Sequence, residues 1–177
     1  MFSLPVLLTP LLALLLAGCT GIPAGLDAVE NFQLTPYLGK WYEIARLDHS
    51  FERDLTDVSA VYALRSEGGV SVVNRGYDSG KDSWQEAHGK AGFLGLPTRG
   101  SLKVSFFGPF YGGYHIIALD VDYRWSLVAG PNRDYLWILA RERHLPEDVQ
   151  TQLVEKARQL GFDTGKLIWV SQNRPDA

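Results

Sequence analysis

Cysteine is nearly absent from this chain of 177 residues, which carries one thiol, at Cys19. A lone Cys closes no intramolecular disulfide, and it excludes a zinc site built on several thiolates. An excess of charge is missing too. Seventeen Lys and Arg against 20 Asp and Glu leave a formal charge of −3, which makes no electrostatic case for nucleic acid or for strong attraction to anionic lipid heads. No Gly-x-Ser-x-Gly elbow, phosphate-binding loop or dinucleotide fingerprint occurs. His49, His88, His115 and His144 are far apart and form no metal-spaced pair, so no metal, haem or other cofactor is expected. Repeats, charge runs and low-complexity linkers are lacking as well. What is plentiful is glycine, 18 residues, and aromatics, with 5 Trp, 8 Tyr and 8 Phe among short apolar runs. That composition suits an all-β domain with many turns.

Residues Met1 to Gly18 carry no charged side chain, and the first acid is Asp27. The apolar stretch Leu11 to Ala17 is short for a membrane span, which needs about 20 residues, and Pro5 and Pro10 interrupt the run before it. The segment reads as a secretory signal. Leu16-Ala17-Gly18-Cys19 resembles the bacterial lipobox, which implies cleavage before Cys19 and acylation of its sulfur. The alternative is a plain secretory signal with an incidental Cys. Stable anchoring takes more than one acyl chain, and a triacylated terminus meets that need without a spanning helix. Thr20, rather than Asp, follows the Cys, which under the sorting rule for such lipoproteins implies the outer membrane. The expected division is a signal peptide over 1–18, a lipidated tether over 19–35 and a folded domain over 36–177.

Turn signals then divide the chain into short segments. Strands are predicted over Trp41 to Leu47, Asp57 to Arg65, Val70 to Tyr77, Trp84 to Leu94, Ser101 to Phe107, Tyr114 to Leu119, Trp125 to Ala129 and Tyr135 to Arg141. Gly68-Gly69, Asp78-Ser79-Gly80, Gly95-Leu96-Pro97, Gly108-Pro109 and Gly130-Pro131-Asn132 are among the breaks. Such spacing predicts an antiparallel sandwich or barrel, and eight strands close into a barrel wide enough for one small ligand. One helix is predicted between Pro146, in its first turn, and Gly161, at its stop. Val149, Leu153, Ala157 and Leu160 make one apolar stripe along it. A final strand, Leu167 to Val170, follows.

At this point the chain resembles the lipocalins, and within them the bacterial outer-membrane lipoprotein lipocalins and their apolipoprotein D relatives. The resemblance rests on Gly39-Lys40-Trp41, on the corner Asp120-Val121-Asp122-Tyr123, which lacks the usual Thr, and on Arg141 closing Trp137-Ile138-Leu139-Ala140-Arg141. It covers roughly Asn31 to Gln172. It implies an eight-stranded antiparallel up-and-down β-barrel with one C-terminal α-helix and a short final strand. It also implies that Trp41 plugs the narrow end with the Arg141 guanidinium across its ring, a contact of about 0.5–2 kcal/mol.

Side-chain alternation then nominates a cavity lining. Leu102, Val104 and Phe106 should face inward, as should Ala60, Tyr62 and Leu64. Trp137 and Leu139 share the parity of Arg141. Tyr114, Ile116 and Ala118 are also placed inward, with His115 and Ile117 outward, and Asn74 is placed inside by analogy with apolipoprotein D. Whether these side chains line a cavity or fill the barrel stays open. Phe106 to Tyr114 should form a hairpin at the open end beside the loop Asp48 to Thr56, its aromatics admitting a lipid tail, touching a membrane or packing within the hairpin. No catalytic constellation stands out. Glu43 is the one acid eligible for lipocalin-type enzyme chemistry, and pairing with a donor at the barrel bottom is its structural explanation. The function the resemblance implies is non-enzymatic: a lipid-anchored carrier of a fatty acid or lysophospholipid, facing the periplasm. A filled-core structural protein is the alternative, and a homodimer formed by two copies pairing around the mouth is left open.

Overall fold

The computed structural model describes residues 20–175, so the expected signal peptide and Cys19 lie outside the described residues. The elements run α1 (Leu34–Tyr37), β1 (Gly39–Arg46), β2 (Leu55–Leu64), β3 (Val70–Asp78), β4 (Ser83–Phe93), β5 (Ser101–Ser105), β6 (Gly112–Leu119), β7 (Trp125–Ala129), β8 (Leu136–Ala140), α2 (Glu147–Gln159), a 3₁₀ turn (Thr164–Lys166) and β9 (Ile168–Trp169). Consecutive strands pair antiparallel from β1 to β8, and β1 also bonds β8, so the eight close into a barrel. Closure removes the exposed edges that an open sheet of this size would present. β9 pairs outside the ring with Ala45 and Arg46.

Two apolar clusters follow from alternation along these strands. Inside the barrel, Trp41, Tyr62, Val70, Val72, Leu102, Ile116 and Leu139 pack together. Outside it, α2 lays Leu153 and Ala157 on Ile44, Ala45, Leu127 and Ile138, with Val149 and Leu160 at the margins. Pro146 is the N-cap of α2 rather than part of its first turn. Glu147 and Asp148 lie in the first turn and Lys156 and Arg158 in the last, matching the helix dipole at both ends.

Two expectations are corrected here. Residues 20–35 are not a free tether. Leu26, Ala28 and Phe32 are buried. The Val29 amide donates to the Ile116 carbonyl, Gly100 to Val29 and Phe32 to Thr98, each at 2.8 Å. The segment is a strap along the outer wall that ends in α1. Ala118 is the second correction. The β6–β7 register shifts between Ile116 and Ala118, so the extra residue resets the parity and sends Ala118 to the α2 side. Leu119 becomes the next side chain packed on the interior cluster.

Candidate functional site

One end of the barrel is sealed. Trp41 is wholly buried, its indole N–H donates to the Tyr37 carbonyl at 2.8 Å, and the Arg141 guanidinium lies 3.9 Å from its ring centre. Arg141 also donates to the carbonyls of Lys40, Pro36 and Leu38 at 2.6–2.9 Å, and to Tyr123 at 3.3 Å. It therefore ties the strap, β1 and the β6–β7 corner to one another. That corner works without its Thr. One Asp120 oxygen accepts from the Asp122 amide at 3.2 Å and from the amide and Nε of Arg124 at 3.1 and 2.7 Å. Those Arg124 contacts hold the Asp120 carboxyl below the usual range.

Toward the other end the interior opens into a cavity of about 770 Å³. Ala60, Tyr62, Asn74, Val104, Phe106, Tyr114, Trp137 and Leu139 line it, and the connections after β1, β3, β5 and β7 contribute its mouth. Leu102 sits lower, beside a void of about 10 Å³ that it shares with Tyr62, Val104 and Tyr114. Two further nominated residues line neither space. Ile116 faces inward but is fully buried in the packed floor with Trp41 and Val128. Leu64 is 65% exposed. β1 begins at Gly39, opposite Tyr62, so Leu64, two residues further along β2, has only β3 beside it, and parity no longer means enclosure. Phe106 fits because Gly89 has no side chain, for a Cβ there would meet its ring at 2.8 Å.

The wall also holds a charged cluster. Glu43 is buried and bonded at 2.7 Å to Arg46, which is itself buried and donates to the Glu52 carbonyl at 2.7 Å. A Glu52 carboxylate oxygen accepts from the Trp137 indole at 3.1 Å and lies 3.2 Å from His49 Nε2. Burial pushes the Glu43 carboxyl well up, the nearby Glu52 charge adds to this, and Arg46 opposes it. Burial likewise raises Glu52 and lowers His49 to about 4, with the Arg46 charge adding to the effect on His49. Glu43 is thus buried, but its partner is three residues along its own strand, not a donor at the barrel bottom. Strict alternation puts Glu43 and Arg46 on opposite faces. A register shift between Glu43 and Ala45 brings Arg46 opposite Trp137 while Glu43 stays opposite Leu139, so both point inward. Sequence periodicity carries no sign of that bulge, and it marks neither Arg46 nor Glu52 as a cavity-wall residue.

Hydroxyls form the cavity base. Tyr114 bonds Tyr37 at 2.7 Å and Tyr62 at 3.0 Å, and Tyr37 reaches Ser126 at 3.2 Å. Burial raises all three phenols, Tyr37 to about 12, so they act as neutral donors and acceptors. Higher in the wall, Asn74 borders the cavity, and its Oδ1 is buried with no hydrogen-bond partner among the described residues. His115 points out of the barrel as expected. The strap covers it, its Nδ1 bonds Ser101 Oγ at 2.8 Å, and burial lowers its basicity. The whole arrangement is an apolar sleeve with a few anchoring polar groups, suited to enclosing an elongated lipophilic molecule.

A family model described as a lipocalin-like domain matches residues 32–172. The chain is 51% identical to outer membrane lipoprotein Blc of Escherichia coli strain K12 over 171 residues, covering 96% of this chain and 97% of that protein. It is 50% identical to the protein of the same name from Vibrio cholerae, covering 92% and 95%, and 31% identical to apolipoprotein D of Cavia porcellus, covering 83% and 81%. Among solved structures, insecticyanin from the tobacco hornworm Manduca sexta superposes with a TM-score of 0.67 at 19% identity, covering 86% of this chain and 87% of that one.

Proposed function

The chain belongs to the lipocalin family, and from that premise we propose that it is a lipid carrier of the outer membrane. An acylated Cys19 tethers the barrel, on the periplasmic side, and the cavity holds one fatty acid or lysophospholipid for storage or transport in envelope maintenance. The single observation that carries the reading is the cavity. It is open at one end, closed by Trp41 at the other, and at about 770 Å³ falls within the range of about 300–1,000 Å³ for small-molecule sites. The name of the Blc relatives, outer membrane lipoprotein, supports the anchor.

The acyl chain lies along Val104, Phe106, Leu139 and Trp137 and leaves water as it does so, worth about 0.8 kcal/mol per buried CH₂. Asn74 and Tyr114 offer hydrogen bonds within the sleeve, and Arg53 and Tyr111 stand at the mouth to meet a head group. The role is retention and release, with no bond made or broken.

The test is native mass spectrometry with lipid extraction on protein purified without detergent, together with peptide mapping of the N-terminus. One fatty acid or lysophospholipid per chain, and an acyl mass on Cys19, are the expected results. A chain that emerges empty and also refuses a fluorescent fatty acid overturns the carrier reading in favour of a filled core.

A further inference from the structure

The strap fixes where the N-terminus leaves the barrel. Thr20, the first described residue, lies against β6. A Cβ on Gly113 would come within 3.0 Å of the Thr20 carbonyl oxygen and 2.6 Å of His115 Nε2. Gly113 is the second residue of β6, directly after the hairpin that rims the cavity, and it is itself among the mouth residues. Four residues on, the Ala24 carbonyl accepts from Arg133 at 2.9 Å, in the β7–β8 connection of the same end. From there the strap descends to Phe32 and the plug. Cys19 is one residue from Thr20, about 3.5 Å of extended chain.

Exposure alone does not choose an end of the barrel. Leu64 at the end of β2, and Leu96 and Val121 on two turns, are exposed at the closed end. The open end differs in chemistry. Phe51 (60% exposed), Phe107 (79%) and Phe110 (75%) stand there on two facing loops and border the cavity. Beneath them, Lys103 Nζ lies 4.8 Å and Lys90 Nζ 6.0 Å from the Tyr111 ring centre. Asp48 and Asp78 at the same rim are held by Arg53 and Lys81 at 2.8 and 2.9 Å. Aromatic tips over an ammonium collar match the boundary between acyl chains and head groups.

We propose that the mouth of the barrel docks on the bilayer surface, with Phe107, Phe110 and Phe51 inserted among head groups and the cavity opening directly onto the lipid. The inference rests on the acylation of Cys19 proposed above, since an anchor one residue from Thr20 brings this end, rather than the plug, to the membrane. A ligand then passes between bilayer and barrel without crossing water.

The experiment uses the full chain, acylated in a Gram-negative host and reconstituted in vesicles of phosphatidylethanolamine and phosphatidylglycerol. Acylation consumes the one native thiol, so Phe110→Cys and Val121→Cys each accept a single polarity-sensitive fluorophore. Vesicles with brominated acyl chains report insertion. The Phe110 label is expected to shift to the blue and lose most of its emission to bromine, while the Val121 label behaves as in water. A quenched Val121 label, or two labels equally in water on acylated protein, overturns the docking and leaves the carrier reading intact. A Phe110 label that is shielded but not quenched, with association that rises with protein concentration, assigns the mouth to a second copy and also overturns it. A chain that leaves the vesicles and lacks an acyl mass overturns anchor and docking together, and fluorescent fatty-acid binding in that same sample reports separately on the cavity.

Discussion

At the scale of single residues, the charged cluster in the cavity wall is the most exacting feature, because a buried ion costs several kcal/mol unless it is paired. Arg46 is the only cation bonded to Glu43 among the described contacts. Arg46→Met is therefore expected to cost about 3–5 kcal/mol in urea unfolding, and adding Glu43→Gln to it should restore much of that loss. Equal stability of the single and double variants would show that the pairing is not what holds this wall. The pH response has two opposed parts. His49 is held near 4 by burial, below its ordinary 6.5, so the unfolded chain takes up a proton first. Its contribution to stability is complete above about pH 6.5 and is lost as pH falls toward 4, at up to about 1.4 kcal/mol per unit. Glu43 is shifted upward from 4.5. Its contribution is complete below that value and is lost as pH rises through the folded pKa. His49→Phe should thus flatten the acid limb of a plot of stability against pH while Glu43→Gln flattens the other limb. Curves that run parallel to the wild type would contradict both assignments.

Among elements, the strap and the bulges mark what the sequence made legible and what it hid. Period-two alternation and glycine-rich turns make all eight barrel strands legible, and with them the inward parity of Ala60, Tyr62, Val104, Phe106 and Leu139, because a half-buried strand writes its burial into neighbouring side chains. A bulge writes nothing comparable. The extra residues at Ile44 and Ile117 reset parity, turning Arg46 inward and Ala118 outward. The strap leaves no signal in the sequence because residues 20–35 hold Gly, Pro and isolated apolar residues without a period, yet Leu26 and Ala28 are buried and Phe32 packs on Tyr37 beside the plug. Its close approach at Gly113 is the sensitive point. Gly113→Ala forces a methyl against His115 and the Thr20 carbonyl, an overpacking expected to cost about 1–3 kcal/mol. Limited proteolysis should then cut within residues 20–30 sooner than in the wild type while the barrel core resists. An unchanged cleavage rate would mean the strap is not held at that point.

For the molecule as a whole, container and solid core make opposite claims about ligand and stability. A filled barrel gains nothing from a fatty acid, whereas a carrier binds it only when folded, so excess ligand must raise its unfolding free energy. At a free concentration one hundred times the Kd, the gain is about 2.7 kcal/mol, and it grows by about 1.4 kcal/mol for each further tenfold. Val104 lines both the main cavity and the small void below it, and a carboxylate placed there meets the acyl chain with an uncompensated charge. Val104→Asp should therefore lose the ligand-dependent gain while keeping a folded barrel, since the plug of Trp41 and Arg141 and the α2 cluster lie elsewhere in the wall. Thermal unfolding followed by circular dichroism, with and without a saturating fatty acid, reads both quantities at once. A midpoint that rises with ligand in the wild type and stays fixed in the variant identifies the space above Trp41 as the binding site. A midpoint that rises equally in both places the fatty acid on the outer surface and removes the cavity from the mechanism.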